Sequence, residues 1–385
     1  MFLAAAPYFQ HRLQSDDWAE KHYQPSIMSV STLATLGATA ISAKIQEGAS
    51  YPRRIVLSLL IYSVVFTFLA FSTILMRDIS AVTYFNFLLV MVFGASLATG
   101  INQNGVFAYA SGFGKEEYTQ AIMGGQGVAG VLPTIVQMLT VLAVPEQSKA
   151  VDVPQESAMS AFAYFITATA VSSSALFAFL YLAKRSGRQS MVPIDDNGSI
   201  LSEHVERKTV GLWQLFKKLH LTALGVFLCF AITLVYPVYT ANIESVHDGI
   251  GRSRLFEQPV FVPLAFFFWN VGDLLGKMSV LIPQFSLAHR PRALFLFAIA
   301  RVGFIPLYWS CNVHGRGAVV QSDIFYLFIV QLLFGLTNGN LASNCMMGAG
   351  HWVSPEEREP AGGFMTMMLS GGLTAGSLLS FLITS

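Results

Sequence analysis

Apolar runs close to the ~20 residues that span a bilayer recur from one end of this chain to the other, and that single pattern leaves few folds open. Ten complete runs can be marked, at 25–43, 54–76, 80–112, 118–144, 157–183, 217–240, 259–283, 291–312, 322–349 and 360–384. In hydrocarbon every backbone N–H and C=O must be satisfied internally, so runs of this length and apolarity predict helices. Composition agrees: 54% of residues are hydrophobic and 12% charged, against roughly a quarter charged in soluble domains. Ahead of the first run stands "MFLAAAPYF", nine residues and too short to cross at 1.5 Å per residue, which reads as the end of a truncated first helix. No basic region precedes it and no small-residue cleavage pattern follows, so a secretory signal fits poorly.

The polar stretch 184–216 is too rich in charge, Gly and Ser to pack in lipid, and it divides the spans into two groups. The expected organisation is an N-terminal helix bundle at 1–183, a linker at 184–216 and a C-terminal bundle at 217–385. With the linker placed in the cytoplasm, 14 Lys and Arg, Arg53 and Arg54 among them, fall on its side of the membrane and 7 on the other. The bias matches the positive-inside rule. The sequon Asn197-Gly198-Ser199 would then stay unglycosylated.

Apart from charges at the ends of the runs, three lie well inside spans: Asp273, Lys277 and Arg301. A charge at mid-membrane costs several kcal/mol, so such residues face a bundle interior or a wet cavity. Asp273 and Lys277 stand four apart on one helical face, where an ion pair offsets part of each desolvation. Self-neutralisation is one reading of this pair; contact with a substrate or a proton is the other. Amides with both donors and acceptors accompany them: Asn270, the run Asn102-Gln103-Asn104, Gln126, Asn338, Asn340 and Asn344. Singly, each serves as glue between helices. Together they suit a neutral polar solute.

Other patterns exclude more than they assign. "GGQGVAG" at 124–130 holds a formal G-x-G-x-x-G, yet a dinucleotide site needs a strand before it, and here an apolar run surrounds it. Gly124, Gly127 and Gly130 instead predict a groove for a neighbouring helix or a solute, and Gly371, Gly372 and Gly376 read as packing positions. Cys229, Cys311 and Cys345 have no metal-ligand spacing and behave as small hydrophobes. No hydrolase or metalloprotease motif is present, and a single intramembrane carboxylate cannot form an aspartyl dyad, so an enzyme is not expected. No cofactor, nucleic acid or obligate protein partner is implied; the lipid bilayer is.

Five ordered stretches carry a resemblance: "YTQAIMGGQGVAG" (118–130), "NVGDLLGK" (270–277), "RVGFIPLYWSCN" (301–312), "FGLTNGNLASNC" (334–345) and "EPAGGFMTMMLSGGLTAGSLLSF" (359–381). They resemble the fifth, eighth, ninth, tenth and eleventh helices of the equilibrative nucleoside transporter family. The resemblance implies a major-facilitator-like two-bundle carrier, all α-helical, moving nucleosides and nucleobases by alternating access. It also implies a ribose contact at Asp273, support from Lys277 where the family usually has Arg, and an amide reading the base at Asn104 with Gln103 adjacent. Leu3 would line the pocket, and Gly125 and Gly130 would correspond to glycines tied to transport and folding. Facilitative transport is the expected function. Proton coupling and a non-transporting nucleoside sensor are the alternatives. Both the cell surface and a vacuole-like organelle stay open as the host membrane.

Overall fold

A computed structural model describes residues 5–46, 49–143, 158–189, 209–247 and 254–384. Leu3 and Asn197 lie outside the described residues. The apolar runs fold as helices: α1 (Ala6–Leu13), α2 (Asp17–Lys44), α3 (Tyr51–Leu75), α4 (Ala81–Gly112), α5 (Glu116–Ala143), α6 (Ala158–Gln189), α7 (Leu212–Ala241) and α8 (Gln258–Ser279). They continue as α9 (Pro291–Ala300), α10 (Phe304–Trp309), α11 (Leu333–Gly348) and α12 (Arg358–Thr384). Among the described residues there is no extended strand, only an isolated bridge between Ile243 and Val313.

Local chemistry explains the ends. Asp16 caps α2 by accepting the Ala19 N–H at 2.8 Å, with Asp17 and Glu20 in the first turn where the helix dipole favours acids. Pro52 and Pro291 sit in the first turns of α3 and α9, where the missing N–H costs nothing.

Among the described residues eight stretches are long and apolar enough to cross a membrane: Asp17–Lys44, Tyr51–Leu75, Ala81–Gly112, Ala161–Arg185, Leu212–Ala241, Val260–Ser279, Pro291–Trp309 and Phe325–His351. The chain is therefore a multi-pass membrane protein. α5 and α12 are as long, at 28 and 27 residues, and are also largely apolar. Large apolar side chains such as Leu33, Phe68, Phe177 and Leu296 are exposed, as a lipid-facing surface requires.

The run 291–312 is not one straight helix. A 3-10 turn, Arg301–Gly303, separates α9 from α10. Pro306 has no N–H to give Val302 four residues back, and Gly303 weakens the same turn. The span ending in α11 opens with a π-helix, Phe325–Leu332. Its Gln331 is buried and bonded to Thr240 Oγ1 (2.9 Å), the Tyr326 hydroxyl (2.7 Å) and the Tyr308 hydroxyl (3.1 Å).

Two compact units emerge, Met1–Tyr109 with Asp152–Thr209, and Ala110–Val151 with Val210–Ser385. Segment 110–151, which precedes the linker in sequence, is compact with the second unit. In the first unit, Phe9, Leu13, Leu69, Tyr84, Leu88 and Phe165 form a buried core. Arg12 closes its α3–α4 turn by donating to the carbonyls of Met76 (2.8 Å) and Ile79 (2.5 Å). In the second, α8 packs on α11 and α5, and α12 packs on α7. Gly372 and Gly376 meet the α7 backbone at Phe227 and Ala231, so these glycines are packing positions.

Candidate substrate-binding site

Four glycines set the geometry around Asp273. A Cβ at Gly272 or Gly276 of α8 would collide with the carbonyl oxygens of Leu332 and Leu336. One at Gly335 or Gly339 of α11 would collide with those of Trp269 and Asp273. The two helices therefore touch backbone to backbone, as small-x-x-x-small spacings allow. Only that approach lets the short Asn338 side chain reach Asp273, its Nδ2 lying 2.7 Å from Oδ1. The sequence reading missed this seam, although Gly272/Gly276 and Gly335/Gly339 display its spacing.

Asp273 and Lys277 form an ion pair of 2.7 Å, and each is 6% exposed. The carboxylate thus has one partner per oxygen, which leaves a lone-pair direction on each for a further donor. Asn338 Oδ1 accepts from Thr233 Oγ1 at 2.7 Å, and Thr233 Oγ1 accepts from Arg301 Nη2 at 3.2 Å. Arg301 also donates to the Cys229 carbonyl at 2.9 Å and lies over the Phe334 ring, 4.5 Å from its centroid. Two cations and one carboxylate are thereby joined through Thr233 and Asn338. Among the described residues Arg301 has no carboxylate at ion-pair distance.

The remaining candidates occupy distinct places. Asn270, one turn before Asp273, donates to the Phe266 carbonyl at 2.8 Å and borders a cavity of about 150 Å³. Trp269, Thr233, Tyr236, Gln331 and Phe334 line the same cavity. It is smaller than the ~300–1,000 Å³ of pockets that hold drug-sized ligands. On α5, Gly124, Gly127 and Gly130 face Met278, Leu274 and Asn270 of α8, so the stripe receives a helix. Gly125 points to open space. Gln120 of α5 donates to the Lys277 carbonyl, while its own Oε1 is buried without a protein partner.

In the first unit, the amides of α4 divide. Asn104 is fully buried and its Oδ1 accepts from Arg54 Nη1 at 2.7 Å. The same guanidinium donates to the carbonyls of Ser42 (2.8 Å) and Ile45, so Asn104 belongs to a clamp that closes the α2–α3 turn. Gln103 Oε1, Asn102 Oδ1 and the Nδ2 of Asn104 itself are buried without a protein hydrogen-bond partner.

A family model described as Nucleoside transporter matches residues 89–385. The chain belongs to the nucleoside transporter family. It is 30% identical to the nucleoside transporter FUN26 of Saccharomyces cerevisiae, in an alignment covering 98% of this chain and 80% of that protein. Equilibrative nucleoside transporter 2 of Mus musculus is 26% identical, with coverage of 99% and 92%. Among solved structures, the Escherichia coli fucose:proton symporter FucP superposes with a TM-score of 0.57 at 14% identity, covering 99% of this chain and 90% of that one. The human organic anion transporter MFSD10 gives 0.53 at 15%, covering 98% and 88%. At such identities the likeness concerns the fold alone, and that fold is the major-facilitator one. The expected fold class and family both hold for this member.

Proposed function

We propose that this family member carries nucleosides across its membrane by facilitated diffusion through alternating access, with Asp273 as the acceptor of the sugar hydroxyls. One observation carries the reading: the Asp273 carboxylate is fixed by backbone-to-backbone helix contact and keeps acceptor capacity on both oxygens. Neutralisation by Lys277 makes such a carboxylate tolerable in the membrane, and Asn338 aims it. A pair serving only its own neutrality would not need a glycine seam and an amide to orient it.

Lys277 pairs with Asp273 at 2.7 Å, and its ammonium offers further donors to an incoming hydroxyl or ring nitrogen. Arg301 acts at a distance, through Thr233 and Asn338, to polarise the amide that holds the carboxylate. On α4, Gln103 with its unpartnered carbonyl oxygen is the better acceptor for a base, since the Asn104 oxygen is committed to Arg54 and only its Nδ2 is unpartnered. Nothing in this scheme makes or breaks a covalent bond, and no cofactor enters it.

The test is counterflow of radiolabelled adenosine in proteoliposomes, comparing the parent chain with Asp273→Asn. The parent should exchange label while the variant, inserted to the same level, loses most of its flux. Equal flux in the two would return the ion pair to a purely structural role. Binding without exchange in the parent would make the protein a sensor, and uphill uridine accumulation driven by a pH gradient would replace facilitation by proton coupling.

A further inference from the structure

Away from the seam, three side chains from three separate elements converge at the end of the second unit where α5 begins and α11 ends. They are Glu116 in the first turn of α5, His289 in the turn between α8 and α9, and His351 in the 3-10 turn after α11. One ligating atom from each lies within 4.8 Å of the other two. His351 Nε2 is bonded to Glu116 Oε1, and the imidazoles of His289 and His351 lie 4.1 Å apart, centroid to centroid, at 39°.

The backbone beneath them is pinned. Asn344 Oδ1 accepts the Leu287 N–H at 2.7 Å, which fastens the α8–α9 turn to α11. Ala288 is fully buried and its carbonyl presses on Gly348, where an added Cβ would come within 2.6 Å. His289 is therefore held beside the helix end that presents His351, and the convergence does not depend on chance rotamers alone.

We infer that Glu116, His289 and His351 form a binding site for a divalent transition-metal ion of the zinc, cobalt or nickel class. Two imidazoles and one carboxylate are the ligand set of open three-ligand zinc sites, with the fourth position left to water. A cavity of about 50 Å³, lined by Glu116 and His351, adjoins the cluster and has room for that water. Lys115 and Arg358 line the same cavity, so no general negative field draws cations there. Calcium or magnesium, which need several oxygen ligands, are disfavoured; coordination by nitrogen selects the borderline metals. Ligand atoms in a tetrahedral site at ~2.1 Å from the metal lie closer together than 4.8 Å, so binding draws the three side chains inward. The metal replaces the proton in the His351–Glu116 bond and ties the start of α5 to the α8–α9 turn.

The experiment is titration of the purified full chain, carrying no histidine tag, with Co²⁺ followed by visible absorption and with Zn²⁺ followed by calorimetry. One saturable site with tetrahedral cobalt bands is expected, and Zn²⁺ should displace the cobalt. His289→Ala and His351→Ala should each weaken binding by more than about 100-fold, beyond the ~10–100-fold cost of outer-shell changes. His220→Ala, on the exposed face of α7, should leave the titration unchanged. His351→Ala also removes the contact to Glu116, so His289→Ala, which replaces an exposed side chain, decides the case if the former misfolds. Absence of saturable binding in the parent, or equal binding in His289→Ala, overturns the assignment.

Discussion

Asn338 on α11 reaches across to Asp273 on α8, with 2.7 Å between Nδ2 and Oδ1, and it can do so only because glycine stands on both sides of the seam. Position 339 is the most demanding of these, since its missing Cβ would occupy the space of the Asp273 carbonyl itself. Gly339→Ala should therefore both destabilise the protein, by about 1–3 kcal/mol or more as overpacked sites do, and displace Asn338 from the carboxylate. Gly125→Ala meets nothing within 4 Å and is expected to leave the thermal midpoint unchanged. Thermal unfolding of the two variants in detergent checks the contrast; equal midpoints would remove the seam from the account.

Lys277 is the second test of the same site. Replacing it by Met leaves Asp273 buried with only the amide of Asn338, and breaking a buried pair from one side costs about 3–5 kcal/mol. The carboxylate then lacks the counter-charge that offsets its desolvation and one of the two groups that position it. Lys277→Met should lose nucleoside flux as fully as Asp273→Asn, whereas Lys277→Arg keeps the charge and should retain it. Flux assays on vesicles with matched protein content separate these outcomes. Transport by the Met variant would show that the ammonium is dispensable.

The spans were legible because length and apolarity act residue by residue, and the i,i+4 relation of Asp273 and Lys277 needs only a helix to be read. What stayed hidden depended on neighbours distant in sequence. Arg54 counts as a loop charge by its position, yet it turns inward to Asn104, fifty residues away. Asn338 is recognisable as an intramembrane amide, but its partner across α8 is fixed by tertiary packing. Gly303 and Pro306 do announce the break between α9 and α10, while the π-helix at Phe325–Leu332 carries no comparable signal. Glu116, His289 and His351 have no motif spacing at all; only the fold gathers them.

A third prediction concerns the turn before α12. Glu357 accepts from Lys218 Nζ at 2.6 and 2.7 Å, and its carboxylate also takes the Ser354 N–H at 3.2 Å, completing a capping box with Ser354. The Lys218 hydrogen bond, aided by Ser354, holds the Glu357 carboxyl below the ordinary glutamate value against its partial burial. A depressed carboxyl stabilises the fold fully above its unfolded pKa and ceases to do so as pH falls through the folded one. Lys218 is 44% exposed, so the pair is screened, and cap and pair together are worth about 1 kcal/mol. Glu357→Gln should lower the thermal midpoint at neutral pH, with the gap closing well below the carboxylate range. A gap that persists in acid would assign the effect to packing.

Orientation gives a fourth. The excess of Lys and Arg on the linker's side predicts that the linker lies in the cytoplasm, where Asn197 would not meet the glycosylation machinery. Expression in a eukaryotic host followed by endoglycosidase treatment should produce no mobility shift that Asn197→Gln abolishes. Such a shift would invert the topology.

The α4 amides supply the last test, because Gln103 and Asn104 are adjacent in sequence and differently employed. Asn104 completes the Arg54 clamp on Ser42 and Ile45, so Asn104→Ala leaves a half-buried guanidinium short of one acceptor, at about 1 kcal/mol. Its expected signature is a lower thermal midpoint with little change in apparent nucleoside affinity per folded molecule. Gln103 Oε1 has no protein partner to lose. Gln103→Ala should thus spare stability and weaken affinity by roughly ten- to a hundredfold, the worth of one or two hydrogen bonds to a buried polar group. Paired measurement of thermal midpoint and substrate competition resolves the two. If affinity falls in Asn104→Ala and not in Gln103→Ala, the base contact belongs to Asn104 and the Arg54 clamp must open during transport.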